Sequence, residues 1–232
     1  MTESSASRPK RATQATSAYE RLRADVITAV LPPGQKLHIG DLCRRYDIGL
    51  SPLREALNRI SQEGLVEQSD LRGFYAAPVS AEGLEDLTRA RCWLAEILLR
   101  EAINRGDAAW EETVVIAFHR LSRVPRYPDG EGTGPVFDPA WEAAHRAFHR
   151  SLVSACGSSW LIQLDQQMFD AADRYRHIAR RAALGGTPAR PDQHRAIMDA
   201  VLSRDTEQAI ALLQAHYRRT GDLGQSILGG AK

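Results

Sequence analysis

Two histidines of this sequence, His145 and His149, stand four residues apart in a stretch with helical periodicity. Side chains at positions i and i+4 project from one face of a helix, so the two imidazoles can hold one ion between them. Sites rich in imidazole suit zinc, nickel, copper or iron(II). The spacing alone leaves two interpretations open: a metal site, or histidines that are exposed or hydrogen-bonded within the protein.

Five further histidines are scattered along the chain, namely His38, His119, His177, His194 and His216. We predict His194 and His216 to lie on two later helices. His119 and His177 match no ligand position, and we expect both on the surface. Histidines with an open metal position would also suit metal-assisted hydrolysis. No nucleophile motif or glycine-rich phosphate loop accompanies them, which disfavours a metalloenzyme.

A second group of candidate residues follows the short, glycine-containing segment Asp47-Ile48-Gly49-Leu50. The helix after such a turn lies in the DNA major groove in helix-turn-helix proteins, with its N-terminal residues at the base edges. Those residues here are Ser51, Arg54 and Asn58. The Arg54 guanidinium can bridge O6 and N7 of one guanine, and Asn58 can read adenine or hold a phosphate. The sequence also allows Arg54 to pair with a carboxylate of its own helix.

The elements around this turn predict a small domain over residues 17–79. The first helix begins at Ser17, with Glu20 completing a capping box, and ends before Pro32-Pro33-Gly34. Two helices follow over 39–46 and 52–63, the second capped by Ser51. Apolar runs at 65–68 and 73–77 flank a polar turn and predict a hairpin. Three helices and a wing are typical of a winged helix-turn-helix, although such a domain need not bind nucleic acid. At the wing tip, Arg72 and Gly73 can approach the DNA backbone or minor groove.

From Ser80 onward the pattern predicts helices throughout, and we place the domain boundary near Pro78-Val79-Ser80. The first long helix has one apolar face and ends at Gly106; its face contains Leu84, Leu87, Leu94, Ile97, Leu98 and Ala102. Asp107 caps the next helix, and a loop covers 125–139. Further helices are expected near 140–155, 160–180, 191–203 and 206–220, the last capped by Asp205 with Gln208 three residues on. The fold class is therefore mostly α: a winged helix-turn-helix and then an all-α antiparallel bundle over 80–224, with a disordered arm at 1–16 and a tail at 225–232.

Composition narrows the class of protein. The chain has 232 residues, 43% hydrophobic and 25% charged, which is enough for two globular domains. We find no apolar run long enough for a membrane span and no secretory signal. Three scattered cysteines favour a reducing cytoplasm over a disulfide framework. A net charge of +1 means that any DNA binding depends on locally placed arginines.

The first domain resembles the N-terminal domain of GntR-type bacterial transcription regulators over about 60 residues. The matching pieces keep their order and spacing: Gly34-Gln35-Lys36-Leu37, Asp41-Leu42, Ser51-Pro52-Leu53-Arg54-Glu55-Ala56-Leu57, Glu63-Gly64-Leu65-Val66 and Arg72-Gly73-Phe74. The family often has Ser-Arg where this chain has Gly49-Leu50, and alanine where it has Cys43. The resemblance implies operator binding, with an operator sequence that differs from the usual one.

Residues 84–220 resemble the FCD effector domain of the FadR-type branch. The matching pieces are Arg91 and the helix around it, Phe148-His149-Arg150-Ser151-Leu152, Ala155-Cys156-Gly157, His194-Arg195-Ala196-Ile197, Arg204-Asp205 and Ala215-His216. The resemblance implies a metal held by His149, His194 and His216, and by His145 where metal-binding members have aspartate. Ala95 stands where the family often has glutamate. Arg91 is a candidate anchor for an effector, or else a salt-bridge or dimer contact, and Arg174, Tyr175 and Arg176 are further candidates to line the pocket.

These patterns together predict a homodimeric, ligand-responsive transcription regulator, and not an enzyme. Its expected partners are operator DNA and a small carboxylate effector, with zinc or nickel as the metal and the cytoplasm as the location. The alternative is a regulator for which the metal ion itself is the signal.

Overall fold

The computed structural model describes residues 14–69, 73–127, 137–182 and 193–229, which form two compact units, Met1–Pro78 and Val79–Lys232. The division lies in the segment Pro78-Val79-Ser80 that we chose as the boundary. Within the described residues, every helix is too short or too polar to cross a lipid bilayer.

The first unit is a three-helix domain with a small antiparallel sheet. Its elements in chain order are α1 (Gln14–Ile27), β1 (Lys36–Leu37), α2 (Ile39–Tyr46), α3 (Leu50–Gln62), β2 (Val66–Ser69) and β3 (Gly73–Ala76). The strand order is β1-β3-β2, and both pairings are antiparallel. The core consists of apolar side chains from all three helices and the sheet, among them Leu22, Val26, Leu42, Leu53, Leu57, Ile60 and Val66. The winged helix-turn-helix prediction is confirmed.

Three details of this unit differ from the prediction. The first helix begins at Gln14, so Ser17 is inside it, and neither the capping box nor an arm that extends to residue 16 is correct. The third helix begins one residue earlier than Ser51, with Gly49 at the cap and no side-chain hydrogen bond there, so Ser51 is not the cap. Strand β1, which joins the predicted hairpin to form a three-stranded sheet, was not predicted. Its two residues are too few to show the alternation of buried and exposed side chains that identifies a strand.

The second unit consists entirely of helices in its described part. They are α4 (Ala81–Arg105), α5 (Ala108–Arg123), α6 (Pro139–Val153), α7 (Ser159–Ala182), α8 (Gln193–Leu202) and α9 (Thr206–Gly229). The predicted all-α bundle is confirmed. Because α9 continues to Gly229, the domain end at 224 and the tail from 225 were wrong. Residues 1–13, and the predicted glycine break at 185–186, lie outside the described residues.

Side-chain caps set where several of these helices begin. The Ser80 hydroxyl accepts from Gly83 N, the Asp107 carboxylate from Trp110 N, and the Asp138 carboxylate from Ala140 N and Trp141 N. Asp205 accepts from Gln208 N at 3.1 Å, as predicted for the last helix. Each cap satisfies an amide that has no partner within its helix.

The core of the second unit holds the helices in the register that the site requires. Phe148, Leu98, Leu99, Leu152, Ile197 and Leu213 are completely buried, on helices α4, α6, α8 and α9. Trp110 Nε1 donates to Ser151 O at 2.8 Å and so ties α5 to α6. The predicted apolar face of α4 holds except at Ile97, which is 51% exposed.

Candidate metal centre and nucleic-acid interface

Four histidines from three helices meet inside the second unit. Helix α6 contributes His145 and His149 one turn apart, α8 contributes His194 at its start, and α9 contributes His216. One ring nitrogen of each lies within 4.8 Å of those of the other three. The spacing of His145 and His149 reflects the helix period, whereas His194 and His216 arrive only through packing of α8 and α9.

Burial makes three of these imidazoles, His145, His149 and His216, neutral electron-pair donors. His145 and His149 are buried, at 6% and 4% exposure. The pKa values of His145, His149 and His216 lie well below the ordinary value, chiefly because burial penalises the charged form, and neighbouring imidazoles and arginines add to the effect. A neutral imidazole has a free lone pair on one nitrogen, which is the form that binds a metal.

The residues present fit a transition-metal ion. A zinc–nitrogen bond of about 2.0–2.1 Å places tetrahedral ligand atoms about 3.3 Å apart. His145 Nε2 and His149 Nε2 are 3.1 Å apart, close to this spacing, and the widest pair in the set, at 4.8 Å, would close by about 1.5 Å on binding. His149 Nδ1 is buried without a hydrogen-bond partner among the described residues, and its Nε2 lies against His145 Nε2 inside the cluster.

Arg91 lies beside this cluster. It is buried, and its guanidinium lies over the rings of Tyr217 and Phe169, at 3.8 and 5.6 Å from the ring centroids. Its Nε has no hydrogen-bond partner in the described part of the chain. Its charge lowers the pKa values of His149 and His216, so it lies within electrostatic reach of both. Arg91 can therefore face an anion at the cluster.

Asp165 is a carboxylate near Arg91 that the sequence analysis did not single out. It is buried on α7. Burial raises its pKa, and the charge of Arg91 opposes that shift. Its raised pKa means that burial disfavours the charged form, which is the form that could balance Arg91.

An ion-pair network on α6 and α7 surrounds the other side of the cluster, and it overturns one prediction. His177, expected on the surface, is buried at 3% exposure and lies 3.0 Å from a Glu142 oxygen. Glu142 also accepts from Arg176 at 2.9 Å, and Arg176 pairs with Asp173 at 3.0 Å. His119 is exposed, as predicted. Charged residues occur on several sides of α7, so the sequence did not reveal its buried face.

Arg176 joins this network to the histidines. One of its nitrogens lies 3.2 Å from His145 Nδ1. The other two candidates on α7 are placed differently: Arg174 is buried, and the Tyr175 hydroxyl lies against Gly83 in the first turn of α4. Arg174 and Tyr175 stay predicted effector contacts, and Arg176 is in direct contact with His145 of the cluster.

The predicted DNA-reading residues of the first unit lie on one exposed side of α3. Ser51, Arg54 and Asn58 are exposed, while Leu53 and Leu57 between them are buried in the core. Arg54 has no ion-pair partner among the described residues, which removes the helix salt bridge as an alternative within that part of the chain. Gly73 begins β3 with a φ of +92°, a conformation that favours glycine. Arg72 lies outside the described residues.

Comparison with known proteins decides the family. The GntR family of bacterial regulatory proteins matches residues 14–75, and the FCD domain matches residues 86–219. The chain belongs to the GntR family. Both domain resemblances read from the sequence are thereby confirmed, and the protein is a DNA-binding transcription regulator of this family.

Two curated relatives support the same assignment for this GntR regulator. It is 36% identical over 215 residues to the HTH-type transcriptional repressor GlaR of Escherichia coli K12, covering 91% of this chain and 96% of that protein. It is also 36% identical over 205 residues to the HTH-type transcriptional regulator BphR of Paraburkholderia xenovorans LB400, covering 85% and 80%. These relatives are regulators, which confirms the prediction of a regulator over an enzyme.

Solved structures share the fold. Escherichia coli McbR/YncC aligns with a TM-score of 0.72 at 16% identity, covering 90% of this chain and 95% of that one. A GntR regulator from Rhodococcus sp. RHA1 aligns with a TM-score of 0.68 at 23% identity, covering 94% and 99%. The architecture of the GntR regulator is therefore common to proteins of low sequence identity.

Proposed function

We propose that this GntR regulator is a homodimeric repressor whose affinity for operator DNA falls when a small carboxylate binds beside a metal ion in its FCD domain. The observation that carries the proposal is the cluster of four histidine nitrogens within 4.8 Å of one another, next to the buried Arg91. The repressor assignment is supported by the similarity to GlaR, which is named as a repressor. Since its target is chromosomal DNA, we place its action in the cytoplasm.

The metal that we propose is zinc or nickel, held by His149, His194 and His216, with His145 as a fourth candidate ligand. All four side chains offer a nitrogen ligand. Zinc, nickel and copper bind imidazole nitrogen, whereas magnesium and calcium are bound by oxygen ligands. When bound, the ion would supply a fixed positive charge and a coordination position for an oxygen of the effector. This chain's own helices orient the ligands, and burial keeps His149 and His216 neutral.

Charge favours an anionic effector. Neutral imidazoles leave the full charge of a divalent ion in place, and Arg91 adds another positive charge that is buried. Buried charges without counter-charges are costly. Burial raises the pKa of Asp165 and so disfavours the charged form that could balance them. A carboxylate placed between the ion and Arg91 would offset part of both charges.

DNA binding follows from the exposed face of α3. A two-fold dimer reads a pseudo-palindromic site, with one α3 in each half-site. An effector can change operator affinity only if it binds the DNA-free arrangement of the dimer more tightly than the DNA-bound one. The proposal therefore requires reciprocal coupling between the acid and the operator.

The test uses full-length protein and a DNA site selected by binding from a random library. Operator affinity is measured for chelator-treated protein, for zinc-loaded protein, and for zinc-loaded protein with each of a series of C3–C6 mono- and dicarboxylates. We expect one or more acids to weaken binding by the loaded protein. If zinc alone changes DNA affinity and no acid adds to it, the metal is the signal and the carboxylate role is wrong. If neither changes it, the regulatory site lies elsewhere.

A further inference from the structure

The partners of the outer ring nitrogens determine which histidine tautomers this structure contains. A guanidinium has five N–H donors and no acceptor. Arg176 Nη1 lies 3.2 Å from His145 Nδ1, so this nitrogen must accept the hydrogen bond and carry no proton. A neutral imidazole has one N–H, and the proton of His145 is therefore on Nε2.

His149 takes the opposite tautomer as a consequence. His145 Nε2 and His149 Nε2 are 3.1 Å apart. Because His145 Nε2 carries the proton, it donates the hydrogen bond, and His149 Nε2 is the acceptor. The proton of His149 is then on Nδ1, the buried atom that has no partner among the described residues. His149 already directs its Nε2 lone pair into the cluster, where that nitrogen accepts from His145. His145 directs an N–H into it and cannot bind a metal through Nε2 in this state.

His216 offers an internal comparison. Its Nδ1 lies 3.2 Å from the side-chain amide of Gln193, whose oxygen, assigned from its partners, accepts from Arg219 at 2.8 and 3.1 Å. The amide nitrogen then donates to His216 Nδ1. An amide has both a donor and an acceptor, so a half-turn of Gln193 lets it accept from Nδ1–H and frees His216 Nε2 for a metal, once Arg219 has given up its two hydrogen bonds to the amide oxygen. Arg176 has no acceptor to offer in any orientation.

We propose that Arg176 is a positioning residue that keeps His145 out of the metal site. In this arrangement His149, His194 and His216 hold the ion, and a coordination position stays open for an effector oxygen. This inference rests on the metal site of the proposed function and deepens it. His145 becomes a ligand only when Arg176 releases Nδ1 and an acceptor replaces it, because a metal-bound histidine normally donates its outer N–H to such an acceptor.

The network around Arg176 shows why it stays in place. Its guanidinium also pairs with Glu142 at 2.9 Å and Asp173 at 3.0 Å, and it lies over the Phe137 ring at 4.9 Å. Asp173 in turn accepts from Arg146 at 2.9 Å. Several contacts thus hold one planar group, which suits the rigid fork of an arginine. An anionic effector at the open position would compete with these carboxylates for Arg176.

The inference is tested by a double-mutant cycle on zinc affinity. Wild type, His145→Ala, Arg176→Gln and the double variant are titrated with zinc against a chromophoric chelator. Arg176→Gln gives His145 the kind of partner that His216 has in Gln193. We expect His145→Ala to change the zinc affinity of the wild type less than about threefold. We expect Arg176→Gln to increase the zinc affinity about tenfold or more, because changes of the residues that hydrogen-bond to metal ligands usually change metal affinity by such factors. Most of this gain should vanish when His145 is absent.

The cycle separates position from charge. Removing a cation near the site favours zinc whether or not His145 binds, but that contribution is equal with and without His145. Arg176→Lys, which keeps the charge and still cannot accept, should behave as wild type. The visible spectrum of bound cobalt(II), which depends on ligand number and type, should change in Arg176→Gln and not in the double variant. Circular dichroism checks that each variant folds.

A measurement on the metal-free wild type needs no variant. Long-range proton–nitrogen correlation spectra report which ring nitrogen carries the proton, and we expect Nε2–H for His145 and Nδ1–H for His149. The reverse tautomer at His145, a His145→Ala loss of zinc affinity equal to that of His149→Ala, or equal Arg176→Gln effects in both backgrounds would overturn the inference while leaving the metal site intact. A wild type that binds no zinc, cobalt or nickel would overturn both.

Discussion

The guanidinium of Arg91 on α4 lies over the ring of Tyr217 on α9, 3.8 Å from its centroid. The stacking holds a cation inside the helical domain without a hydrogen bond to its Nε. Burial raises the pKa of Tyr217, so the hydroxyl stays protonated and does not neutralise the charge. Arg91 therefore keeps its charge available to a ligand.

Replacing Arg91 with alanine should weaken carboxylate binding and leave DNA binding without effector unchanged. A hydrogen bond to a charged group contributes about 1.5–3 kcal/mol, or about 10- to 100-fold in affinity. Isothermal titration with an acid found in the screen measures this loss. Arg89→Ala is the matched control, since Arg89 is exposed on the same helix and pairs with Asp86. Equal acid affinity in Arg91→Ala and Arg89→Ala would remove Arg91 from the effector site.

Glu142 should make the FCD domain lose stability against unfolding as the pH falls into the acid range. Burial alone would raise its pKa, but the hydrogen bond from His177 and the charge of Arg176 outweigh this, and its pKa is lowered. A carboxyl with a lowered folded pKa adds stability that is complete above its unfolded value of about 4.3 and is lost as the pH falls through the folded value. Wild type should therefore exceed Glu142→Gln in stability at pH 7 by about 1–3 kcal/mol, the range for charged hydrogen bonds.

The pH dependence of that difference is the decisive result. Urea midpoints of the two proteins should converge as the pH falls through the lowered folded pKa of Glu142, because protonated Glu142 resembles glutamine. Glu112→Gln serves as the control, since Glu112 is exposed on α5 and its removal should change neither midpoint nor pH profile. A difference between wild type and Glu142→Gln that stays constant from pH 7 to the acid limb would contradict the assigned cause.

Local signals in the sequence predicted much of the fold, and tertiary packing explains what they missed. Asp107 and Asp205 cap helices as predicted because each cap needs only residues three positions apart. Ser17 has the same local signal, but α1 begins earlier and Ala15 is buried in the domain. Ile97 fits the apolar period of α4 and is nevertheless exposed. The period shows which face of α4 is apolar, but not which positions along that face another helix covers.

The parts of the site that lie within one helix could be predicted from the sequence, and the parts that depend on contacts between helices could not. The spacing of His145 and His149 follows from one helix, whereas His194 and His216 came from the family resemblance alone. Arg176 and His177 contact Glu142 across 34 and 35 residues of chain, and no single-helix pattern encodes that. The acidic partners of buried cations are thus the part that the sequence could not show.

Arg54 should dominate the sequence specificity of operator binding. It is exposed on α3 and has no ion-pair partner in the described part of the chain, so its guanidinium is available for a guanine. Arg54→Ala should cost about 1–3 kcal/mol per half-site, with circular dichroism unchanged. Arg44→Ala is the control: Arg44 on α2 pairs with Asp41, and its loss should weaken all sequences by a smaller, equal factor. Gel-shift titrations on selected and scrambled DNA separate the two, and wild-type affinity in Arg54→Ala would remove it as a base reader.

Purified protein should bind about one zinc or nickel ion per chain, and His149→Ala should lose most of it. The reason is the state of this imidazole in the metal-free fold: it is buried, its pKa is well below the ordinary value, and its Nε2 lone pair already faces the cluster. Binding there needs neither deprotonation nor a change of tautomer, so His149 should contribute more affinity than any ligand that must rearrange. Elemental analysis after dialysis against buffered metal gives the stoichiometry. His119→Ala, which removes an exposed histidine of α5, should retain the full amount, and equal metal in His149→Ala and His119→Ala would contradict the site.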